Sequence, residues 1–324
     1  MAFARHCIRS KVVENSGWLL TSHANEPLLQ EGLTVQLEQL TTTPATLGEG
    51  PCWHGEEQVL YWIDIYGKAL HRFNPADNTD QQWDMGQMIG TVAPRASGGL
   101  IVALENGFAF FDPATGKLEH LEPVDDHPES RFNDGKCDPS GRFWVGSMDN
   151  VREERPMGKL YRVDHDGTVN VMDENITISN GLAWSPDETR MYYIDSPTKN
   201  IFAFDYDAES GDISNKRPVI TLNDEQGWPD GMTIDSEGMI WLAHWAGQRV
   251  CRWNPDTAEV LETIPTPAPH TSCCCFGGAD LTDLYITTAR KGLTDEQLAA
   301  NPLSGHLFRL KTNFTGTPTY SFEG

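Results

Sequence analysis

The fold is decided by the stretch Asp235-Ser236-Glu237-Gly238-Met239-Ile240-Trp241-Leu242-Ala243 and by its flanks. Asp, Ser and Gly at its start are typical of a tight turn, and the apolar and aromatic run that follows is typical of a strand. The apolar segment Gly231-Met232-Thr233-Ile234 precedes the turn, and Val250-Cys251-Arg252-Trp253 follows after a short loop. The order is therefore strand, turn, strand, loop, strand, with residues left for a fourth strand.

This order recurs six times along the chain, at steps of 39, 43, 49, 48 and 44 residues. The residues that mark the recurring strand are Trp62, Ile101, Trp144, Tyr193, Trp241 and Tyr285. Four strands in roughly 45 residues is the size of one propeller blade. Helical periodicity is confined to residues 294–300. The sequence therefore predicts an all-β protein, a six-bladed β-propeller.

The predicted propeller takes up residues 33–324, and residues 1–32, which match no repeat, are interpreted as an N-terminal extension. A propeller must close into a ring so that its edge strands are protected. We expect residues 33–37 to close it by pairing with the last blade near residues 318–320.

The charge balance excludes two classes of partner. The chain has 47 acidic and 24 basic residues, a formal net charge of −23. Such a surface repels nucleic acid and anionic membranes, and no window approaches the ~18 apolar residues of a membrane span. The seven cysteines form no C-x-x-C pair, which indicates a reducing compartment, and charges interrupt the N-terminal segment that a signal peptide would need. A cytoplasmic protein is therefore expected.

Oxygen-bearing side chains recur at one position of the repeat. The innermost strand of every blade starts at the same end of the central channel, so residues at that point converge although they are distant in sequence. Four of the six repeats carry such groups next to glycine there: Glu49, Asn133 with Asp134, Asn180 and Asp230. Hard divalent cations prefer carboxylate and amide oxygens, so the pattern predicts a metal site. The alternative is that Asn-Gly and Asp-Gly are ordinary turn dipeptides.

These stretches are similar to those of a known family. They are Gly48-Glu49-Gly50-Pro51-Cys52-Trp53, Arg131-Phe132-Asn133-Asp134-Gly135-Lys136, Ile178-Ser179-Asn180-Gly181-Leu182-Ala183-Trp184-Ser185, Pro229-Asp230-Gly231-Met232 and Thr271-Ser272-Cys273-Cys274-Cys275-Phe276-Gly277-Gly278. With them, the chain from about residue 33 onward resembles the SMP-30/gluconolactonase family of regucalcin-like proteins. The resemblance implies a six-bladed propeller, a divalent ion held by Glu49, Asn180 and Asp230, and hydrolysis of a small-molecule sugar lactone. It also places Arg131 and Asn133 on the substrate side.

The chain departs from the family pattern at two places. Regucalcin-like sequences have Ala-Glu-Glu after the residue that corresponds to Met148, whereas Asp149-Asn150-Val151 follows here. His244 and Trp245 end a second strand, which returns to the same end of the channel, where some relatives have Cys and Tyr. We expect Asp149 and His244 to contact the substrate and the loop of residues 149–156 to lie above the channel. These differences leave the identity of the sugar open.

The expected mechanism follows from the fact that a lactone is an ester. The ion would polarise the carbonyl and activate a water molecule, and Asp230 would accept the proton of that water as general base. Glu49 offsets the charge of the ion, and Asp134 is expected behind the ligands, where it would orient Asn180 or a bound water. Oxygen ligands suit Ca²⁺, the expected ion, as well as Mg²⁺ and Mn²⁺, and Zn²⁺ or Fe²⁺ could occupy the same groups.

Two other functions stay open at this point. One is a different hydrolase on the same scaffold, such as an organophosphate hydrolase or a related esterase. The other is a non-enzymatic calcium-binding protein. The motifs H-E-x-x-H and G-x-S-x-G do not occur, so a zinc protease and a serine hydrolase are disfavoured.

Overall fold

Six sheets of four antiparallel strands make up the described part of the protein. The computed structural model describes residues 37–105, 107–121, 124 and 128–324, so the extension predicted for residues 1–32 lies outside it. The first strand of each blade contacts the first strands of the neighbouring blades. These strands therefore surround the central channel, and the prediction of a six-bladed β-propeller is confirmed.

The strands are numbered in chain order, and β1 (Glu38–Gln39) precedes the first blade. The first three blades consist of β2 (Gly48–His54), β3 (Val59–Asp64), β4 (Ala69–Asn74) and β5 (Thr79–Asp84); β6 (Ile89–Pro94), β7 (Leu100–Leu104), β8 (Gly107–Asp112) and β9 (Lys117–His120); and β10 (Ser130–Cys137), β11 (Phe143–Asp149), β12 (Gly158–Val163) and β13 (Val169–Ile176). Blades four and five consist of β14 (Ser179–Trp184), β15 (Arg190–Asp195), β16 (Asn200–Tyr206) and β17 (Ile213–Thr221); and β18 (Trp228–Ile234), β19 (Ile240–Trp245), β20 (Arg249–Asn254) and β21 (Glu259–Pro265). Blade six consists of β22 (His270–Gly277), β23 (Asp283–Ala289) and β24 (Phe308–Lys311), with β1 at its outer edge.

Helices are short and few among the described residues. The α-helix α1 (Asp295–Ala300) coincides with the helical periodicity of the sequence, and Thr294 caps its N-terminus. Two 3-10 helices cover Ser196–Thr198 and Asp224–Gln226. None of the helices in the described ranges is both long enough and apolar enough to cross a bilayer.

Side-chain chemistry changes from the channel outward. The second strands β3, β7 and β11 are buried along their whole length. The fourth strand β5 reads Thr-Asp-Gln-Gln-Trp-Asp and is mostly exposed. Burial of apolar surface stabilises by about 25 cal/mol per Å², so the apolar second strands lie between neighbouring sheets and the polar fourth strands lie in water.

A repeated Trp–Asp contact ties the turns to the second strands. The indole Nε1 of Trp144 donates to Asp138 Oδ2 at 2.9 Å, and that of Trp241 donates to Asp235 Oδ2 at 2.9 Å. The turn aspartates thereby satisfy buried indole N–H groups that would otherwise be costly. These turns follow the ends of the first strands. The Trp–Asp contacts therefore stabilise the face of the propeller opposite to the one at which the first strands start.

Of residues 33–37, which were expected to close the ring, only Leu37 lies within the described residues, and the ring closes through the two residues that follow it. Glu38 and Gln39 pair antiparallel with Arg309 and Phe308, and the Arg309 guanidinium forms an ion pair with Glu38 at 2.6 Å. The predicted partners, residues 318–320, instead line the channel at its far end. The prediction of that partner was wrong because β24, the third strand of blade six, provides the sheet edge with which β1 pairs, whereas the C-terminal segment continues past it to the channel.

Candidate active site

Five of the predicted site residues line one cavity at the channel end where the first strands begin. The cavity has a volume of about 680 Å³ and is bordered by Glu49, Arg131, Asn133, Asn180 and Asp230. This volume is in the usual range for small-molecule sites. The structure therefore brings together residues that are up to 181 positions apart in the sequence.

A β-bulge places each of these polar groups. All six first strands shift register near the cavity, and a bulge re-aims the side chains of the strand that carries it. The four shifts at the polar residues lie between Glu49 and Cys52, Phe132 and Gly135, Asn180 and Leu182, and Pro229 and Met232. The Asn-Gly and Asp-Gly pairs are thus parts of bulged strands, and the alternative of ordinary turns does not describe them.

The carboxylates in this cavity repel one another. Glu49 and Asp230 are only 7% and 5% exposed. Burial, with a contribution from the Asp134 carboxylate, raises the pKa of Glu49 to about 8. Burial and the charges of Glu49 and Asp134 raise the pKa of Asp230 well above its usual range, while Lys291 opposes the shift. The positive charge of a bound cation would offset this repulsion between the carboxylates.

The donor set fits a hard divalent cation. Two carboxylates and one amide, all nearly buried, present oxygen atoms only. The described residues contain no group of three His, Cys, Asp or Glu side chains that could hold a metal ion. A cation at this position therefore depends on the amide oxygen of Asn180 in addition to Glu49 and Asp230.

A chain of hydrogen bonds orients the Asn180 amide. Asn133 Nδ2 donates to Asn180 Oδ1 at 3.0 Å, and Asn180 Nδ2 donates to Ser196 Oγ at 2.8 Å. Ser196 Oγ in turn donates to the Pro229 carbonyl at 2.6 Å. Because the amide N–H₂ group is engaged by Ser196, the amide oxygen is the end of Asn180 that is free to accept a further contact.

Arg131 holds Asn133 from the other side. The Arg131 guanidinium donates to Asn133 Oδ1 at 2.7 Å and to the Phe132 carbonyl at 3.0 Å. Its Nε atom is buried and has no hydrogen-bond partner among the described residues. Asn133 therefore lies between Arg131 and Asn180, and Arg131 retains donor capacity at the cavity wall.

Asp134 faces away from Asn180. Its Oδ1 accepts a hydrogen bond from Gly135 N at 2.8 Å, and the residue lines the channel beyond the cavity. Asn133, its neighbour in the bulge, makes the hydrogen bond to Asn180 that was one of the two roles expected for Asp134. The other role, orienting a bound water, stays a prediction. Asp134 still acts on the site through its charge, which raises the pKa of both Glu49 and Asp230.

Asp149 and His244 do not line the cavity. Asp149 accepts hydrogen bonds from Val151 N and from Arg155, and the Arg155 contact holds its pKa well below the usual range. Burial lowers the pKa of His244 to about 4, and its Nδ1 lies 2.8 Å from the Gln226 carbonyl oxygen. The structure thus gives both side chains internal partners: Asp149 organises the loop above the channel, and His244 supports the cavity wall from behind.

Several cavity residues were missed by the sequence analysis. They are Ser196, Glu153, Lys291 and His270. The first three of them lie just after the end of a second strand, which returns to the channel end where the first strands start. The end of each second strand was therefore a usable signal, although only Asp149, His244 and Trp245 were predicted from it, and of these Trp245 lines the cavity.

Aromatic rings form one wall of the cavity. Trp245 and His270 stack with ring centroids 4.0 Å apart and an interplanar angle of 16°. Trp228 is 41% exposed and lines the cavity. The Lys199 ammonium lies 4.6 Å from the Trp228 ring centroid. The cavity thus combines a polar floor with an apolar side.

Known proteins of one family are similar to this chain over most of its length. The family model described as SMP-30/Gluconolactonase/LRE-like region matches residues 47–290. A Bacillus subtilis (strain 168) protein with the provisional name sugar lactone lactonase YvrE is 38% identical over 283 residues, which is 87% of this chain and 97% of that protein. Regucalcin of Danio rerio is 36% identical over 293 residues, 90% of this chain and 99% of the relative.

A solved structure matches the whole propeller. The crystal structure of a calcium-binding protein, regucalcin of Agrobacterium tumefaciens, superimposes with a TM-score of 0.84 at 30% sequence identity. The match covers 89% of this chain and 97% of that chain. The resemblance seen in the sequence motifs therefore extends to the complete fold.

Proposed function

The chain belongs to the SMP-30/gluconolactonase/LRE-like family, and from this premise we propose that it is a metal-dependent hydrolase of sugar lactones. The observation that carries the proposal is the convergence of Glu49, Asn180 and Asp230 in one cavity whose buried carboxylates repel each other. The name of the Bacillus subtilis relative supports the substrate class.

Glu49, Asn180 and Asp230 would hold the divalent ion. When bound, that ion supplies Lewis acidity to a lactone carbonyl and lowers the pKa of water. We propose Ca²⁺, because the donor set consists of oxygens only and the solved regucalcin structure is described as calcium-binding. Mg²⁺, Mn²⁺, Zn²⁺ and Fe²⁺ are the competing ions for the same groups.

Asp230 is the proposed general base. It lies in a nearly water-free position, and the neighbouring carboxylates favour its taking up a proton. Lys291 opposes this effect but does not outweigh it, and the charge of the proposed divalent ion would favour the ionised, basic form of Asp230. A carboxylate that is ionised at rest and has a raised proton affinity is suited to accept the proton of the attacking water.

Arg131 is the proposed partner of the substrate oxygens. Its guanidinium is held in a fixed orientation by Asn133 and by the Phe132 carbonyl. Such a preorganised donor stabilises the oxyanion that forms when water attacks an ester carbonyl. The hydrogen bonds of Asn133 to Arg131 and Asn180 favour a role for Asn133 in positioning these two residues. A sugar hydroxyl that contacts Asn133 would do so in addition to these hydrogen bonds.

A panel of aldonolactones tests the proposal. Hydrolysis releases a proton, so a fall in pH should accompany turnover when Ca²⁺ or another divalent ion is added, and a chelator should stop it. Turnover of esters or phosphotriesters without any lactone turnover would favour the other hydrolase. Tight calcium binding without turnover of any substrate would favour a non-enzymatic calcium-binding protein.

A further inference from the structure

Glu153 places a carboxylate in a cationic corner at the mouth of the cavity. It forms an ion pair with Lys291 Nζ, and its Oε1 accepts a hydrogen bond from the Tyr66 hydroxyl at 3.1 Å. Burial opposes the ionisation of Glu153, but Lys291, Arg131 and Tyr66 outweigh it and lower its pKa. Lys291, Arg131 and Tyr66 therefore make up an anion position, called the cationic corner below, that the protein fills with its own carboxylate.

The cationic corner is assembled from three blades. Tyr66 follows β3 in blade one, Arg131 and Glu153 belong to blade three, and Lys291 follows β23 in blade six. The Lys291 ammonium lies 5.1 Å and the Arg131 guanidinium carbon 5.9 Å from the centroid of the Tyr66 ring. Both cations thus lie near the same phenol ring, although Arg131 and Lys291 are distant in the sequence.

The backbone at Glu153 supports a dedicated position for its carboxylate. Glu153 has a φ of 57°, in the left-handed region that residues other than glycine seldom adopt. Such a conformation costs on the order of 1 kcal/mol and persists where surrounding contacts favour it. The contacts with Lys291 and Tyr66 are those that hold Glu153 in this conformation.

The cationic corner opens onto the proposed reaction site. Arg131, Glu153 and Lys291 line the same cavity as Glu49 and Asp230. The Lys291 charge is close enough to act on Asp230. A substituent on a lactone bound near Asp230 can therefore reach the cationic corner within one cavity.

On the basis of the lactone hydrolysis proposed above, we propose that Glu153 and Lys291 select uncharged sugar lactones against lactones that bear a carboxylate. With Glu153 in place, Lys291 is already neutralised, and a carboxylate on the substrate would meet Glu153, Glu49 and Asp230. Without the Glu153 charge, Lys291, Arg131 and Tyr66 would bind a substrate carboxylate. Discrimination would thus come from a repulsive group in the site, a common source of specificity.

The test compares Glu153→Gln with Glu174→Gln. Glu174 is an exposed residue of β13, the outer strand of the same blade, and does not line the cavity, so its substitution removes an equal charge away from the cationic corner. The measured quantity is kcat/KM for an uncharged hexonolactone and for the lactone of the corresponding sugar diacid. Glu153→Gln should shift the ratio toward the charged lactone at least about tenfold, and Glu174→Gln should leave it within about twofold.

A second substitution identifies the cation that is responsible. In the Glu153→Gln background, Lys291→Met should remove the gain for the charged lactone because the cationic corner then loses its ammonium. A ratio that is unchanged in Glu153→Gln, while the protein hydrolyses the uncharged lactone normally, would overturn the selection by Glu153 and leave the lactonase proposal intact.

A binding measurement tests the selection by Glu153 independently of the proposed lactonase activity. If the protein hydrolyses no lactone, the lactonase proposal fails, and calorimetric titration of the calcium-loaded protein with the sugar diacid still tests the cationic corner. Glu153→Gln should then bind the diacid about tenfold more tightly than the unsubstituted protein or Glu174→Gln. Equal affinities in all three proteins would refute the anion position.

Discussion

Asp230 is the residue at which binding and chemistry would coincide. It is nearly buried, and burial together with Glu49 and Asp134 disfavours its charge. We predict that Asp230→Asn lowers kcat/KM for lactones by about 10²–10⁴-fold or more, because the base is lost along with one ligand charge. The rate of acid release in a lactone assay measures the effect.

The control for this prediction is Asp224→Asn. Asp224 has a 98% exposed side chain and pairs with Lys199 at the outside of the cavity wall. Its substitution should leave kcat/KM within about twofold, since exposed ion pairs contribute little. Wild-type activity in Asp230→Asn would exclude Asp230 as the base.

Ser196 is a positioning residue for Asn180. Its hydroxyl accepts the Asn180 Nδ2–H bond and donates to the Pro229 carbonyl, so it connects blade four with blade five. We predict that Ser196→Ala weakens Ca²⁺ binding by about 10–100-fold, the range found when partners of metal ligands are removed. Calorimetric titration with Ca²⁺ measures the affinity.

Ser210→Ala provides the comparison for that titration, because Ser210 is an exposed turn residue in the same blade. An equal Ca²⁺ affinity for Ser196→Ala, Ser210→Ala and the unsubstituted protein would show that the Asn180 amide does not need Ser196. A loss of helical or strand signal in circular dichroism would instead identify a folding defect.

At the level of the strands, the bulges require close approach between blades. A Cβ atom at Gly181 would lie 2.8 Å from the Asp230 carbonyl oxygen and 2.7 Å from Met232 Cγ. We predict that Gly181→Ala lowers the free energy of unfolding by about 1–3 kcal/mol, because the channel has no room for an additional methyl group. Denaturant unfolding measures the change.

Gly55→Ala is the matched substitution for this experiment. Gly55 lies in a turn, and a Cβ atom there would have nothing within 4 Å. Its effect on the free energy of unfolding should stay within about 0.5 kcal/mol. If Gly181→Ala and Gly55→Ala were equally stable, the close packing of β14 against β18 would not matter for stability.

The whole molecule should respond to pH through the buried carboxylates. The folded-state pKa of Glu49, about 8, is raised above its ordinary value of 4.5, and that of Asp230 is raised as well. A raised folded-state pKa contributes stability that is fully present below the ordinary pKa and is lost as the pH rises through the folded-state value. In the presence of a chelator, the Tm should therefore fall between about pH 5 and about pH 9.

A divalent ion should counteract this loss. Because metal ligands must be deprotonated, Ca²⁺ should raise the Tm more at about pH 9 than at about pH 5. Glu49→Gln should flatten the pH dependence of the chelated protein, since its amide does not titrate. Thermal unfolding at both pH values measures these effects, and identical profiles for Glu49→Gln and the unsubstituted protein would contradict them.

Much of the fold was determined by the sequence itself. Each blade is a local pattern of a turn followed by an apolar strand around residues such as Trp144 and Trp241, and the Trp–Asp contacts join residues six positions apart. Such short-range patterns can be recognised in one sequence, and their six-fold repetition specifies the propeller. The recurrence of Glu49, Asn180 and Asp230 at one repeat position predicted their convergence for the same reason.

The contacts between blades were decided only by the tertiary structure. Glu153 and Lys291 are 138 residues apart, and the approach of their loops depends on how all six blades are arranged around the channel. The choice of Asn133 over Asp134 as the partner of Asn180 depends on the direction in which a bulge turns two adjacent side chains. Ring closure through Arg309 and the internal pairing of Asp149 with Arg155 depend equally on neighbours that no repeat pattern records. Local periodicity thus determines which strands form, whereas the partners of the loops follow from the closed ring.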